Sequence, residues 1–533
     1  MSELSSIIPA PVACEPGEGS FRFNQETCIA TEPGLEKEAG VLAAWLSRVP
    51  GIERVKIVSE NSDNHKPLAM PSEPGSNKTA TIRLSLESAL CLKTTEAYVL
   101  EITPSSIQIT AAEGAGIIRG AASLWQLVLG KSCEEGQRVS IQAGRIVDKP
   151  RFGWRGLMLD CARNFFRVEF IEKLLDLAAF HKLNVFHWHL TDDQAWRLDI
   201  PSRPELVEYG AFRKDQRYQG ECKKGGYYSQ SDVKRVIDYA QARHILVVPE
   251  IELPGHSIAL FSSHPEFSCR GRADSSVHFE PEDRYGIFED ILCAGNDDVF
   301  TFFDNMLQEV YKMFPGPYIH MGGDEAPKDR WLECPACRER MHALGFASGD
   351  GRYFPEKLQA WFMGRISNLL VNHGKRMIGW DEVVDGGIGK DTIVMSWRGI
   401  EPGIHAAQCG YDVVMCPQTR ACYLDHKHND DPEEPGHLGV CTLKDSYLFE
   451  PVSEKLSDEK KHHILGGQAN LWTELIYFGR QAEYMLFPRL CALSEVFWSP
   501  REMRNFEDFS QRLRLHEHRL DTLDVSYYKG RFF

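Results

Sequence analysis

The 533-residue chain contains no apolar run approaching the roughly 18 residues needed to cross a bilayer, so no transmembrane helix is expected. Positive charge is also scarce. With 60 basic against 76 acidic residues, the formal net charge of −16 repels phosphate backbones and argues against nucleic acid as a partner. There is no internal repeat and no low-complexity tract. The first residues, MSELSSIIPAPVACEPGEGS, hold no basic leader and no apolar core of a signal peptide. The expectation is a cytoplasmic chain as written, or a periplasmic or secreted one if a leader preceded it. The 15 cysteines are odd in number and scattered, and Cys416 and Cys491 sit in apolar runs, which reads as mostly free thiols rather than a disulfide framework. Cys334 and Cys337 form a lone CxxC, and Cys269 and Cys293 flank a loop. Further ligands at matching spacing are not apparent, so no metal and no cofactor is expected.

With 43% hydrophobic and 26% charged residues, the chain has a globular composition, and its length suggests two or three domains. In the first 149 residues, ATIRLSL (80–86) and AYVLEITPSSIQITA (97–111) alternate apolar and polar residues, as half-buried strands do. GAGIIRGAASLWQLVLG (114–130) follows with a helical apolar face and Gly130 at the C-cap position. These features predict a smaller α+β domain over 1–149.

From Trp154 the pattern changes. Eight short apolar runs recur: RGLMLD (155–160), NVFHWHL (184–190), ILVVPE (245–250), YIHMGGD (318–324), RMIGW (376–380), TIVMSW (392–397), DVVMC (412–416) and ILGGQANLW (464–472). Helical stretches such as 168–183, 231–244 and 355–374 lie between them. Continuous hydrophobic strands alternating with helices predict a parallel (β/α)8 TIM barrel over 150–500. A C-terminal helix packing on the barrel is expected within 501–533.

The strand ends carry Asp160, Asp192, Glu250, Asp324–Glu325, Trp380–Asp381–Glu382, Trp397, Tyr423 with Asp425, and Trp472 with Glu474. In a barrel these ends open on one face. A mouth rich in tryptophan and carboxylate suits a sugar, whose apolar faces stack on indoles and whose hydroxyls donate to carboxylates. Asp324 and Glu325 follow Gly322–Gly323, glycines whose conformational freedom lets both side chains be aimed inward. A conventional glycosidase sets two carboxyls roughly 5 to 9 Å apart across the scissile bond. Sequence neighbours cannot easily straddle a pyranose in that way. His187 and His189 alternate on one face, where they serve either as hydrogen-bonded packing or as ligands of a metal-dependent hydrolase.

The chain resembles glycoside hydrolase family 20. The resemblance rests on WRGLMLDCARNFF (154–166), HWHLTDDQAWR (187–197), PEIELPGHS (249–257), YIHMGGDEAPKDRW (318–331), IGWDEV (378–383), VMSWRG (394–399), YLDH (423–426) and GGQANLWTE (466–474), in that order. It implies an exo-acting retaining β-N-acetylhexosaminidase for terminal β-linked GlcNAc or GalNAc. Substrate-assisted families, family 20 among them, are recognised exceptions to the two-carboxylate rule. The resemblance implies that the 2-acetamido oxygen attacks C1 to give an oxazolinium, that Glu325 is the acid/base, and that Asp324 holds the acetamido nitrogen. It further implies that Asp192 and His256 form a buried relay tuning Glu325 and that Tyr423 bonds the acetamido oxygen. On the same resemblance Trp380, Trp397 and Trp472 would wall the pocket, and Asp425 and Glu474 would read O4 and O6. Arg155 would bind O3 and O4, with Arg163 expected as an internal salt-bridge partner. Glu250 and Glu252 are structural supports, Trp154, Trp196 and Trp498 are core, and Asp381 and Glu382 face solvent or an outer subsite. The stretch 426–437 is a solvated loop over the mouth. A β-N-acetylhexosaminide glycan is the expected partner, of a monomer or a homodimer. A lacto-N-biosidase of the same fold, a conventional retaining β-glycosidase and an inactive carbohydrate-binding barrel stay open.

Overall fold

The computed structural model describes residues 2–52, 54–59, 81–88, 94–130, 139–214 and 223–530. The N-terminal domain is a seven-stranded mixed sheet. Its strands are β1 (Ala13–Arg22), β2 (Cys28–Thr31), β3 (Lys56–Ser59), β4 (Thr81–Leu86), β5 (Tyr98–Ile102), β6 (Ser106–Ala111) and β7 (Ser140–Asp148). They are ordered β1-β7-β5-β6-β4-β2-β3. The two expected alternating segments are β4 and the β5–β6 hairpin, with Ala80 of the first outside the described residues. Helices α1 (Glu36–Leu46) and α2 (Gly114–Leu129) pack together, their Trp45 and Trp125 rings stacked at 4.7 Å. Gly130 does cap α2, but at φ −70°. Its lack of a side chain matters instead because the Arg519 guanidinium lies 3.2 Å from where a Cβ would stand.

Helix α2 is buried almost throughout because its outer face meets the second domain. That domain is a closed barrel of eight parallel strands: β8 (Trp154–Asp160), β9 (Val185–His189), β10 (Leu246–Leu253), β11 (Tyr318–Gly322), β12 (Arg376–Trp380), β13 (Ile393–Ser396), β14 (Asp412–Met415) and β15 (Ile464–Leu471). The eight apolar runs are the eight strands, and nearly every residue in them is buried, as strands covered on both faces require. The helices between them include α3 (Val168–Phe180), α4 (Gln230–Gln241), α5 (Asp297–Met313), α6 (Pro355–Asn372) and α7 (Ile400–Gln408). Helix α4 starts on a capping box, Ser229 with Asp232, which fixes its first turn.

Polar groups fasten the two domains at the N-terminal end of the barrel. Lys182 bonds Asp148 at 2.7 Å, and Trp498 Nε1 donates to the same carboxylate at 2.9 Å. Arg119 of α2 pairs with Glu96, which also pairs with Arg155 at the start of β8. After α8 (Arg489–Trp498), the last helix α9 (Phe506–Thr522) touches both domains. Its Arg512 forms a two-pronged bond with Glu495 of α8 and donates to the Ile7 carbonyl, while Arg519 donates to the carbonyls of Ser6 and Gln126. No described helix is long and apolar enough to cross a membrane.

Candidate active site

The C-terminal ends of the strands surround a cavity of about 320 Å³, at the small end of the range for small-molecule sites. Asp324, Glu325, Trp380, Trp397, Tyr423, Asp425, Trp472 and Glu474 line it, joined by Arg163, Tyr285, His437 and Leu438. Backbone geometry sets the acids. Gly322 and Gly323 have φ of 59° and 100°, and a Cβ on Gly322 would collide with the Glu252 carboxyl. Glu325 itself sits at φ 43° and His256 at 48°, a left-handed conformation uncommon for non-glycine residues.

Behind the acids, His256 Nε2 lies 3.5 Å from Glu325 Oε2 and 3.8 Å from Asp324 Oδ2. Its Nδ1 lies 3.0 Å from Asp193 Oδ2 and 3.4 Å from Asp192 Oδ1. Burial opposes a charge on this imidazole, but Asp192, Asp193 and Glu325 outweigh it, so His256 titrates well above the usual histidine range. Burial raises the Asp324 carboxyl, and the neighbouring Glu325 adds to that, while imidazolium His256 opposes it. Glu252 is pushed well above its ordinary value by burial first and by Asp324 second. A protonated Glu252 can therefore donate to Asp324, and its Oε1 also accepts the Gly323 N–H at 3.1 Å.

The aromatic wall is held by carboxylates. Trp380 Nε1 donates to Glu250 Oε1 at 2.9 Å, and Trp397 Nε1 to Glu382 Oε2 at 2.9 Å. Tyr423 lies nearly parallel to Trp397, 14° between planes at 6.4 Å, and Trp472 stands 5.8 Å from Trp380. Glu250 also pairs with His189, whose Nε2 contacts Asp192 at 3.0 Å. Burial works against charge on His189, yet Glu250 lifts it to about 10; His187, 3.0 Å from the same carboxylate, falls to about 4 because burial dominates there.

The far end of the cavity is polar. The strip Cys422–Leu424 extends the barrel edge by pairing with Asn470, which brings in Tyr423 and Asp425. Both Asp425 oxygens, Glu474 Oε2, Asp324 Oδ1 and Arg163 Nη1 are buried without a hydrogen bond inside the protein, Arg163 Nη1 standing 3.6 Å from Asp160 Oδ2. Buried polar atoms are ordinarily bonded, so these five, gathered in residues that line one cavity, are available to a ligand. Burial, then the nearby Glu474, pushes the Asp425 carboxyl far up. Asp160 seats Arg163 by accepting the N–H groups of Ala162 and Arg163, and it seats Glu474 by accepting the Thr473 N–H.

A family model described as "Glycosyl hydrolase family 20, catalytic domain" matches residues 152–501, and one described as "Glycosyl hydrolase family 20, domain 2" matches 4–149. The chain belongs to glycosyl hydrolase family 20. Among family 20 relatives, "Beta-hexosaminidase" of Porphyromonas gingivalis is 36% identical over 98% of this chain and 64% of its own length. "Beta-hexosaminidase" of Vibrio furnissii is 35% identical over 75% of this chain and 64% of its own. This chain thus spans just under two thirds of both curated relatives. A solved family 20 exo-β-N-acetylglucosaminidase from Vibrio harveyi, in complex with N-acetylglucosamine, superposes with a TM-score of 0.86 at 32% identity, covering 99% of this chain and 79% of that one.

Against the family 20 expectations, the largest displacement is that of Arg155. Arg155 lies at the N-terminal end of β8, opposite the mouth, fully buried, with Nε on the Lys182 carbonyl at 2.9 Å and Nη1 on that of Phe152 at 2.7 Å. It is a domain-interface residue and cannot reach a sugar. The arginine in the cavity is Arg163, bonded to Asp192 at 2.8 Å with its guanidinium over the Trp472 ring. Asp192 therefore faces Arg163, and the nearer partner of His256 is Asp193, which the sequence reading passed over although it is the second acid of the TDD triplet. Asp381 is buried and accepts the Trp397 N–H; it faces neither solvent nor a subsite. The 426–437 loop is solvated only over its middle, since His426 and His428 are buried and His437 enters the cavity. The cysteine reading is also incomplete. Among the described residues no cysteine is in a disulfide, but Cys269 and Cys293 meet Cys334 and Cys337.

Proposed function

We propose that this chain is an exo-acting, retaining β-N-acetylhexosaminidase that removes a terminal β-linked N-acetylhexosamine through the substrate's own acetamido group. The carrying observation is that Asp324 and Glu325 are adjacent at one strand end, with His256 behind both and the Trp380–Trp397–Tyr423 wall beside them. In this reading the acetamido methyl packs against the indoles and the phenol of Tyr423 donates to the acetamido oxygen. Asp324 accepts the acetamido N–H, which turns that oxygen toward C1. As the C1–O bond to the leaving group breaks, Glu325 gives its proton to the departing oxygen and the acetamido oxygen bonds C1, forming an oxazolinium. Glu325 then takes a proton from water, which attacks C1 and reopens the ring with net retention.

Arg163 Nη1, Asp425 and Glu474 supply the hydroxyl contacts. A donor beside two acceptors matches ring hydroxyls that both accept and donate, and the walled end supports exo action. A second cavity of about 360 Å³, lined by Glu325, Lys328, Glu356, Gln359 and Glu382, receives the leaving group.

The test compares an aryl β-N-acetylglucosaminide with the aryl β-glucoside, with and without N-acetylglucosamine-thiazoline. Cleavage confined to the acetamido substrate and blocked by the thiazoline is expected. Substantial glucoside cleavage, or indifference to the thiazoline, overturns the reading.

A further inference from the structure

Four cysteines that the hydrolytic site does not use converge from two loops. Cys269 opens the short helix Cys269–Ala273, in the segment after β10. Cys293 lies just ahead of α5, and Cys334 and Cys337 sit at the start of the helix Pro335–Ala343, after β11. All four are at most 9% exposed, and their sulfurs all lie within 4.8 Å of one another. The separations are 3.6 Å for Cys293–Cys337, 3.8 Å for Cys269–Cys337 and 3.9 Å for Cys293–Cys334. Thiolates bound tetrahedrally to zinc at about 2.3 Å stand about 3.8 Å apart along each edge.

We propose that Cys269, Cys293, Cys334 and Cys337 bind a structural Zn2+. The donor set is chemically apt, since four soft sulfurs select zinc over the hard cations that carboxylates would take. Four protein ligands leave no open position, so the ion is structural and does not activate water. The local chain is shaped for thiolates. Cys334-Pro-Ala-Cys337 places one sulfur at the N-cap of a helix and the other on its first turn, where backbone N–H groups and the positive helix end offset anionic charge. Gly295 closes the other side: a Cβ there would strike the backbone of Ala336 and Cys337, so only glycine lets the Cys293 loop approach this turn. Neighbouring bonds run in parallel, Cys293 N–H to the Phe267 carbonyl at 2.7 Å and Trp331 Nε1 to the Leu292 carbonyl at 2.8 Å.

Binding displaces the thiol protons and adds no redox step. The ion would tie the β10 loop, which carries His256 and Tyr285, to the β11 loop, which carries Asp324 and Glu325. The sequence hides this because the spacing is C-x23-C-x40-C-x2-C, far from the two short pairs by which zinc motifs are recognised.

The test is metal analysis of the full chain, purified without a histidine tag under reducing conditions. One zinc per chain is expected, and Cys337→Ser and Cys269→Ser should lose it while Cys409→Ser, at an exposed cysteine elsewhere, keeps it. If the cluster variants fail to fold, replacing zinc by Co2+ in the wild type should give thiolate-to-cobalt charge-transfer and tetrahedral d–d absorption. Substoichiometric zinc overturns the proposal, whether the four thiols then alkylate freely in the native protein or a mass deficit shows them paired as disulfides. So does a cobalt spectrum lacking thiolate bands.

Discussion

Arg155 and Arg163 stand eight residues apart at opposite ends of the same barrel strand, and exchanging their roles gives opposite phenotypes. Arg163 Nη1 makes no hydrogen bond within the protein and stands 3.6 Å from Asp160 Oδ2, while Asp192 holds Nη2 at 2.8 Å and Gln194 holds Nε at 3.1 Å. Arg163→Lys keeps the charge beside those acids but loses the planar fork. Loss of one charge-assisted hydrogen bond costs about 1.5–3 kcal/mol, so kcat/KM should fall roughly 10- to 150-fold. Arg155→Met removes donors to two buried carbonyls and one of the two cationic partners of Glu96, which retains Arg119 and the Asn184 amide. Breaking such a buried pair costs about 3–5 kcal/mol of stability. The folded enzyme should nonetheless keep its kcat/KM, because nothing on Arg155 reaches the mouth. The assay pairs steady-state kinetics on an aryl N-acetylglucosaminide with denaturant unfolding of the same samples. An Arg155→Met enzyme of native stability with a crippled kcat/KM would refute the placement, as would an Arg163→Lys enzyme with ordinary kinetics.

Glu325→Gln should slow substrates with poor leaving groups most, because only they need the proton, whereas Asp324→Asn should slow every substrate; an aryl leaving-group series separates the two, and equal slopes would contradict the roles. Asp425→Asn should weaken binding of the thiazoline by roughly 10- to 100-fold, read by calorimetry, since both buried oxygens of this carboxyl have no hydrogen bond inside the protein. Burial, aided by Asp324 and Asp381, lifts Glu382 from 4.5 to about 8. A carboxyl held high contributes stability that is complete below its unfolded value and lost as pH rises to the folded one. Through this group stability should therefore fall as pH rises from 4.5 to 8, and Glu382→Gln should flatten that part of the unfolding profile. An unchanged slope would count against the shift.

The barrel was legible because a parallel strand covered on both faces must be apolar throughout, and eight such runs cannot be confused with half-exposed strands. The mouth was legible because Asp324, Trp380, Trp397 and Trp472 end or directly follow those runs. What escaped depends on three-dimensional return. Arg163 lies in a loop whose course is set by Asp160 and Thr473, more than 300 residues apart in the chain. Choosing between two arginines of one motif required knowing that Arg155 opens the strand and so points to the domain interface. Asp193 competes with Asp192 for His256 over a few tenths of an ångström, a difference that no residue pattern encodes. The four cysteines meet only because the β10 and β11 loops fold over each other.

The central claim is that the attacking oxygen belongs to the ligand's amide. Aryl glycosides whose acetamido group carries none, one, two or three fluorines test it most directly, since fluorine drains that oxygen of electron density while leaving C1 and the leaving group alone. The account predicts that log kcat/KM falls steadily with each fluorine. A flat series, with the rate set by the leaving group alone, would contradict it.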